Sequence, residues 1–62
     1  SRYSANFLSD RFNLSMAEWR ILGQLAYNGS STVAELAQRT LTDKAQISRS
    51  VQALADRGLV LR

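Results

Sequence analysis

The chain has 62 residues, with eight Lys plus Arg against five Asp plus Glu and a formal net charge of +3. It holds no Cys, His or Pro, so thiolate chemistry, an imidazole base and Cys- or His-ligated metal sites are excluded. At this length it is one small domain, 1–62, which buries only about 60% of the surface its unfolded form exposes.

The first predicted element is a short helix from Arg2 to Phe12, carried by Tyr3, Phe7, Leu8 and Phe12 near helical spacing. Asn13 suits a left-handed residue just beyond it. Tyr3 and Phe7 fit either a core or a dimer contact. The second helix has the clearest start. Ser15 and Glu18 form a capping box, and Leu14 with Trp19 fits a hydrophobic staple. Trp19, Leu22, Leu25 and Ala26, with Ile21 beside them, make a wide apolar face. Asn28-Gly29 stops this helix after Tyr27.

The third helix starts on a second capping box, Thr32 and Glu35, and runs to Thr40 with Val33, Leu36 and Ala37 inward. The fourth takes Thr42 as N-cap, places Asp43 in its first turn, runs to about Arg57 and stops at Gly58. Leu59-Val60-Leu61 then reads as the start of a strand. The expected fold is mostly all-α: a helix-turn-helix with four helices and a residual strand. Its expected core is Leu14, Trp19, Leu22, Leu25, Val33, Leu36, Ile47, Val51, Leu54 and Leu59, joined by Phe7 or Phe12.

Function is legible mainly in the fourth helix. At 100° per residue, Ile47, Ser50, Val51, Leu54 and Ala55 fall on one side. Ala45, Gln46, Arg49, Gln52 and Ala53 fall on the other, with Ser48 at the border. Gln bonds bidentately to adenine and Arg to guanine, and a small Ala permits close approach to a thymine methyl. Charge points the same way. Residues 1–37 carry three Arg and three acids; residues 38–62 carry five cations against Asp43 and Asp56, which holds the whole +3. Seven of the eight basic residues are Arg and the pI is about 10.2, both suited to nucleic acid. Such a helix face is ordinarily just solvated; the capped helix before it and the charge asymmetry favour DNA. Arg57 fits a phosphate contact or a balance to the helix dipole. Arg62 is the last phosphate candidate.

Other chemistry finds little support. Gly23, Gly29 and Gly58 fit no phosphate loop, and the five carboxylates are scattered over separate elements. The Ser/Glu and Thr/Glu pairs are caps rather than acid-base pairs, and Trp19 reads as core rather than a base-stacking platform. The expected protein is therefore not an enzyme and needs no cofactor or metal. No window approaches the roughly 20 apolar residues of a membrane span, and no signal peptide pattern is present. The expected compartment is the cytoplasm. Ser1 and Arg62 read as cuts in a longer chain.

Trp19-Arg20-Ile21-Leu22, Thr32-Val33-Ala34-Glu35-Leu36-Ala37, Asp43-Lys44, Ile47-Ser48-Arg49, Val51, Leu54 and Arg57-Gly58-Leu59-Val60 together resemble the MarR family of transcription regulators. The resemblance covers about residues 14–62. It implies a winged helix-turn-helix in a homodimer, a repressor on a pseudo-palindromic operator, and release of DNA by a small, often phenolic, effector bound partly against the first two helices. By position it implies that Ala45, Gln46, Ser48, Arg49 and Gln52 face the major groove, and that Thr32, Thr42 and Lys44 lie near phosphates. Ser50 departs from the family, which usually has an apolar residue there. The rest of the wing, with its minor-groove Arg, and the dimerising helices are expected beyond Arg62. A second reading uses the same fold as a protein-interaction module without specific DNA binding.

Overall fold

The computed structural model describes residues 1–6 and 13–62. Its elements are β1 (Arg2–Ala5), α1 (Met16–Asn28), β2 (Ser31–Thr32), α2 (Val33–Thr40), α3 (Lys44–Asp56) and β3 (Val60–Leu61). Among the described residues there are three helices, not four, and a small antiparallel sheet in the order β2-β1-β3.

The first expected helix is thus corrected. Arg2 pairs with Thr32 and Tyr3 with Ser31 on one side; Ser4 pairs with Leu61 and Ala5 with Val60 on the other. Two short strands present backbone donors and acceptors that need partners, and β1 between them satisfies both sets. Tyr3 and Ala5, two residues apart, lean together on the core, which is the period of a strand. The Asn6 amide continues the pairing to the Leu59 carbonyl at 2.8 Å. Phe7 to Phe12, the rest of that expected helix, lie outside the described residues. Asn13 is left-handed as expected, with φ 64°.

Helix α1 begins on the expected capping box. The Glu18 amide donates to Ser15 Oγ at 3.1 Å, and the Ser15 amide donates to Glu18 Oε1 at 2.8 Å. It ends where Gly29, at φ 77°, donates its amide to the Leu25 carbonyl. Its buried face is Ile21, Leu22 and Leu25. Trp19 is 52% exposed, so its expected core and staple role is overturned. At about 100° per residue, Trp19 lies about 160° from Ile21 and about 120° from Leu25. Burying Ile21 and Leu25 therefore turns Trp19 outward. Ala26, Met16 and Tyr27 are exposed as well, and Leu14 is half-buried.

The second capping box also forms. The Glu35 amide donates to Thr32 Oγ1 at 3.1 Å and the Thr32 amide to Glu35 Oε1 at 2.9 Å. The turn after α2 is tight. Leu41 adopts φ 54°, and the Thr42 amide donates back to the Ala37 carbonyl. Here the cap of the next helix differs from expectation. Asp43, not Thr42, caps α3, accepting from the Gln46 amide at 3.1 Å. A carboxylate at the positive end of a helix is a stronger acceptor than a hydroxyl. The Thr42 hydroxyl donates instead to the Thr40 carbonyl. At the far end, Gly58 at φ 76° donates to Ala55 and Leu59 donates to Leu54, a Schellman pair.

The core lies where the three helices meet the sheet. It holds Ile21, Leu22, Leu25, Leu36, Ala37, Ile47, Val51, Leu54, Leu59 and Val60, with Leu14 and Val33 partly buried against it. Eight of these ten are apolar residues of the helices, joined by Leu59 and Val60, and Leu36 and Leu54 are fully buried. The expected core otherwise stands; Phe7 and Phe12 lie outside the described residues.

Glu35 also carries a pH effect. The Thr32 amide holds its carboxyl below the ordinary carboxylate value, helped by the charges of Arg2 and Arg39 and opposed by partial desolvation. A depressed folded value stabilises above the unfolded value and is lost as pH falls through the folded one. Glu35→Gln is expected to flatten the loss of Tm between about pH 5 and pH 3. Thermal melts across that window check this; equal acid slopes in both chains would remove Glu35 from the account.

Candidate nucleic-acid interface

Helix α3 is sided as its sequence requires. Ile47, Val51 and Leu54 are buried, with Ser50 and Ala55 half-buried beside them. Ala45, Gln46, Ser48, Arg49, Gln52 and Ala53 are all exposed. The half-buried setting of Ser50 explains how a polar residue is tolerated on that side. The tight turn before Asp43, in which the Thr42 amide donates to the Ala37 carbonyl, joins the start of α3 directly to the end of α2.

The exposed side chains are not independent. Arg49 Nη2 donates to Gln46 Oε1 at 3.0 Å. Gln52 Nε2 donates to Asp56 Oδ1 at 3.0 Å, and Arg62 Nη2 donates to Gln52 Oε1 at 3.3 Å. Arg62 also stands over the Tyr3 ring, 5.8 Å from its centroid. Gln52 therefore has both ends of its amide engaged and ties β3 to α3.

The five phosphate candidates separate into groups. Thr42 and Lys44 flank the N-terminus of α3. Thr32 caps α2, with its hydroxyl bonded to the Glu35 amide. Arg57 and Arg62 lie at the other end of α3, which is about 20 Å long. Arg57 Nη1 donates to the Asn13 carbonyl at 3.3 Å, binding the end of α3 to the segment before α1.

One cation was missed in the sequence. Arg20 borders a shallow cleft between α1 and the first half of α3, with Ile21 and Ile47 below and Thr42 and Gln46 beside it. The side chains of Arg20 and Lys44 are exposed and have no hydrogen-bond or ion-pair partner among the described residues. The available signal was Ala17, Arg20 and Gln24, spaced three and four on the side of α1 away from Leu22. A net charge of zero over residues 1–37 concealed it.

Among the described residues, no group of three or more Asp, Glu, His or Cys is placed to hold a metal ion. No described helix is long and apolar enough to cross a membrane. A family model described as the MarR family matches residues 12–62. No curated protein and no solved structure matches the chain.

Proposed function

The chain belongs to the MarR family, and from that premise we propose that it is the sequence-specific DNA-binding part of a transcription regulator, a repressor, with α3 in the major groove. The observation that carries this is α3 itself: an exposed Gln46/Arg49 face on a buttressed helix, with the whole excess of positive charge in residues 38–62. Gln46 and Arg49, with Ala45 and Ser48, meet base edges. Thr42, Lys44 and Arg20 meet phosphates at the start of the helix, and Arg57 and Arg62 at its end. Thr32 lies at the N-terminus of α2, where backbone amides favour a phosphate.

The intact protein works as a homodimer on a pseudo-palindromic operator in the cytoplasm. Family membership is the support for this and for a small phenolic effector. Met16, Trp19 and Tyr27 on α1 are 77%, 52% and 90% exposed and offer a separate apolar surface for a protein contact. That surface also favours the second reading, an interaction module, in which DNA would be bound weakly and without sequence preference.

The test is a salt titration of binding to operator and scrambled duplexes. Log affinity for both is expected to fall linearly with log salt, by about 0.9 for each phosphate contact. The operator is expected to stay ahead of the scrambled duplex throughout. A flat response between about 50 and 200 mM salt, or no gap between duplexes, would leave the interaction module as the better reading.

A further inference from the structure

Leu41 combines two features that oppose one another. It caps α2 with φ 54°, in the left-handed region, where an L-residue brings its Cβ close to the following carbonyl and where Gly or Asn is the ordinary occupant. Asn13 is the other described non-glycine residue with a positive φ, and it is of the type that fits. A bulky side chain in that region is an outlier. The backbone has to turn here, because the Thr42 amide returns to the Ala37 carbonyl at 2.9 Å. The leucine side chain adds nothing to the core: it is 93% exposed. An exposed Leu alone would mean little. An exposed Leu at a backbone position that disfavours Leu points to a use outside the chain.

The surroundings of Leu41 indicate what it meets. Both neighbours, Thr40 and Thr42, line the cleft that Arg20 borders. Lys44, three residues on, is exposed, and its Cα lies within about 11 Å of that of Leu41, the reach of three peptide units. The Asp43 carboxylate between them accepts the Gln46 amide. The larger exposed apolar residues Met16, Trp19 and Tyr27 all belong to α1. Leu41 is thus a lone apolar side chain among hydroxyl and cationic groups. That mixture suits a DNA strand, along which deoxyribose carbons alternate with phosphates. An apolar protein surface would call for a contiguous patch instead.

We propose that Leu41 packs on a deoxyribose of the operator backbone, between phosphates met by Lys44 and Arg20. This rests on the DNA-binding reading above and adds to that same site a contact that carries no charge and reads no base.

The experiment compares wild type with Leu41→Gly, Leu41→Asn and Leu41→Met in the full-length protein. Thermal melts give stability. Titrations at several salt concentrations use a duplex that wild type selects from a randomised pool, and its scrambled version. Gly and Asn suit the left-handed turn, so both variants are expected to melt no lower than wild type. Both are expected to bind each duplex about 3- to 10-fold more weakly, as for losing roughly half of a leucine's transfer from water. The salt slope stays, because no phosphate contact is lost, and the ratio between duplexes stays, because no base contact is lost. Leu41→Met keeps an apolar side chain and holds the affinity within about twofold. A Tm lowered by several degrees in both Leu41→Gly and Leu41→Asn makes Leu41 a structural residue and overturns the inference. Wild-type affinity in Leu41→Asn also overturns it: a weak Gly variant then reflects a loosened turn, and an unchanged one fits a side chain that meets a protein. A narrowed ratio makes Leu41 a base contact, and a lower slope makes it a support for the phosphate contacts; either result removes the deoxyribose assignment. A wild type that enriches no motif and shows no salt dependence overturns the DNA-binding reading itself, before any variant is compared.

Discussion

Leu54→Ala is expected to leave the 62-residue chain largely unfolded. Leu54 is fully buried, and its carbonyl accepts the Leu59 amide that turns the chain from α3 into β3. Its side chain joins the cluster in which Leu36, Val51, Leu59 and Ile21 meet. Truncating a buried Leu costs about 2–5 kcal/mol, through lost transfer energy and the cavity left behind. At about 0.05–0.15 kcal/mol per residue, a domain of this size holds only about 3–9 kcal/mol in all. The substitution therefore removes much of the total. Trp19→Ala is the informative control. Trp is the larger side chain, yet Trp19 is half-exposed on the flank of α1, and its loss is expected to cost about 1 kcal/mol or less. Urea unfolding followed by circular dichroism compares the two. If Trp19→Ala unfolds the chain as Leu54→Ala does, the rotation of α1 described here is wrong.

The same pair of residues shows what a sequence of this kind discloses. Caps are local, and both capping boxes form between the residues that spell them, Ser15/Glu18 and Thr32/Glu35. The two sides of α3 are likewise fixed by its own spacing. Ile47, Val51 and Leu54 admit one inward direction, and the polar residues follow. Helix α1 is different because its apolar residues cover too much of the circumference. Trp19, Leu22 and Ala26 define one face; Ile21, Leu22 and Leu25 define another about a quarter-turn away. The neighbours decide between them, and neighbours are not written in a local period.

β1 fails for a related reason. Arg2–Ala5 is too short to display a period of its own, and its strand form depends on β2 and β3, about 30 and 60 residues along the chain. The Thr42 cap failed more narrowly. A hydroxyl and a carboxylate stood side by side, and the ionised group took the position at the helix dipole. At the candidate interface, the exposed set on α3 was legible from spacing alone. The pairing of Gln46 with Arg49 and the engagement of Gln52 were not, because they depend on which rotamers the neighbouring side chains adopt.

Arg49→Ala and Lys44→Ala are expected to weaken DNA binding in different ways. Arg49 lies about two turns into α3, opposite the buried Ile47 and Val51, and its guanidinium is held outward by Gln46. From there it meets a base edge when the start of the helix enters the major groove. Loss of a bidentate base contact costs about 1–3 kcal/mol and relaxes preference at that base pair. Lys44 lies in the first turn, beside the capping Asp43, exposed and with no ion-pair partner among the described residues. An ammonium there is a point charge suited to phosphate, which every sequence offers. Its loss weakens all duplexes about equally and lowers the salt slope by about one. Arg49→Ala is thus expected to narrow the gap between operator and scrambled DNA, and Lys44→Ala to preserve the gap while both affinities fall. Titration of both variants of the full-length protein against the two duplexes, at two salt concentrations, separates these effects. Should Arg49→Ala weaken both duplexes equally and reduce the salt slope, Arg49 is a phosphate contact, and base reading passes to the rest of the exposed face of α3.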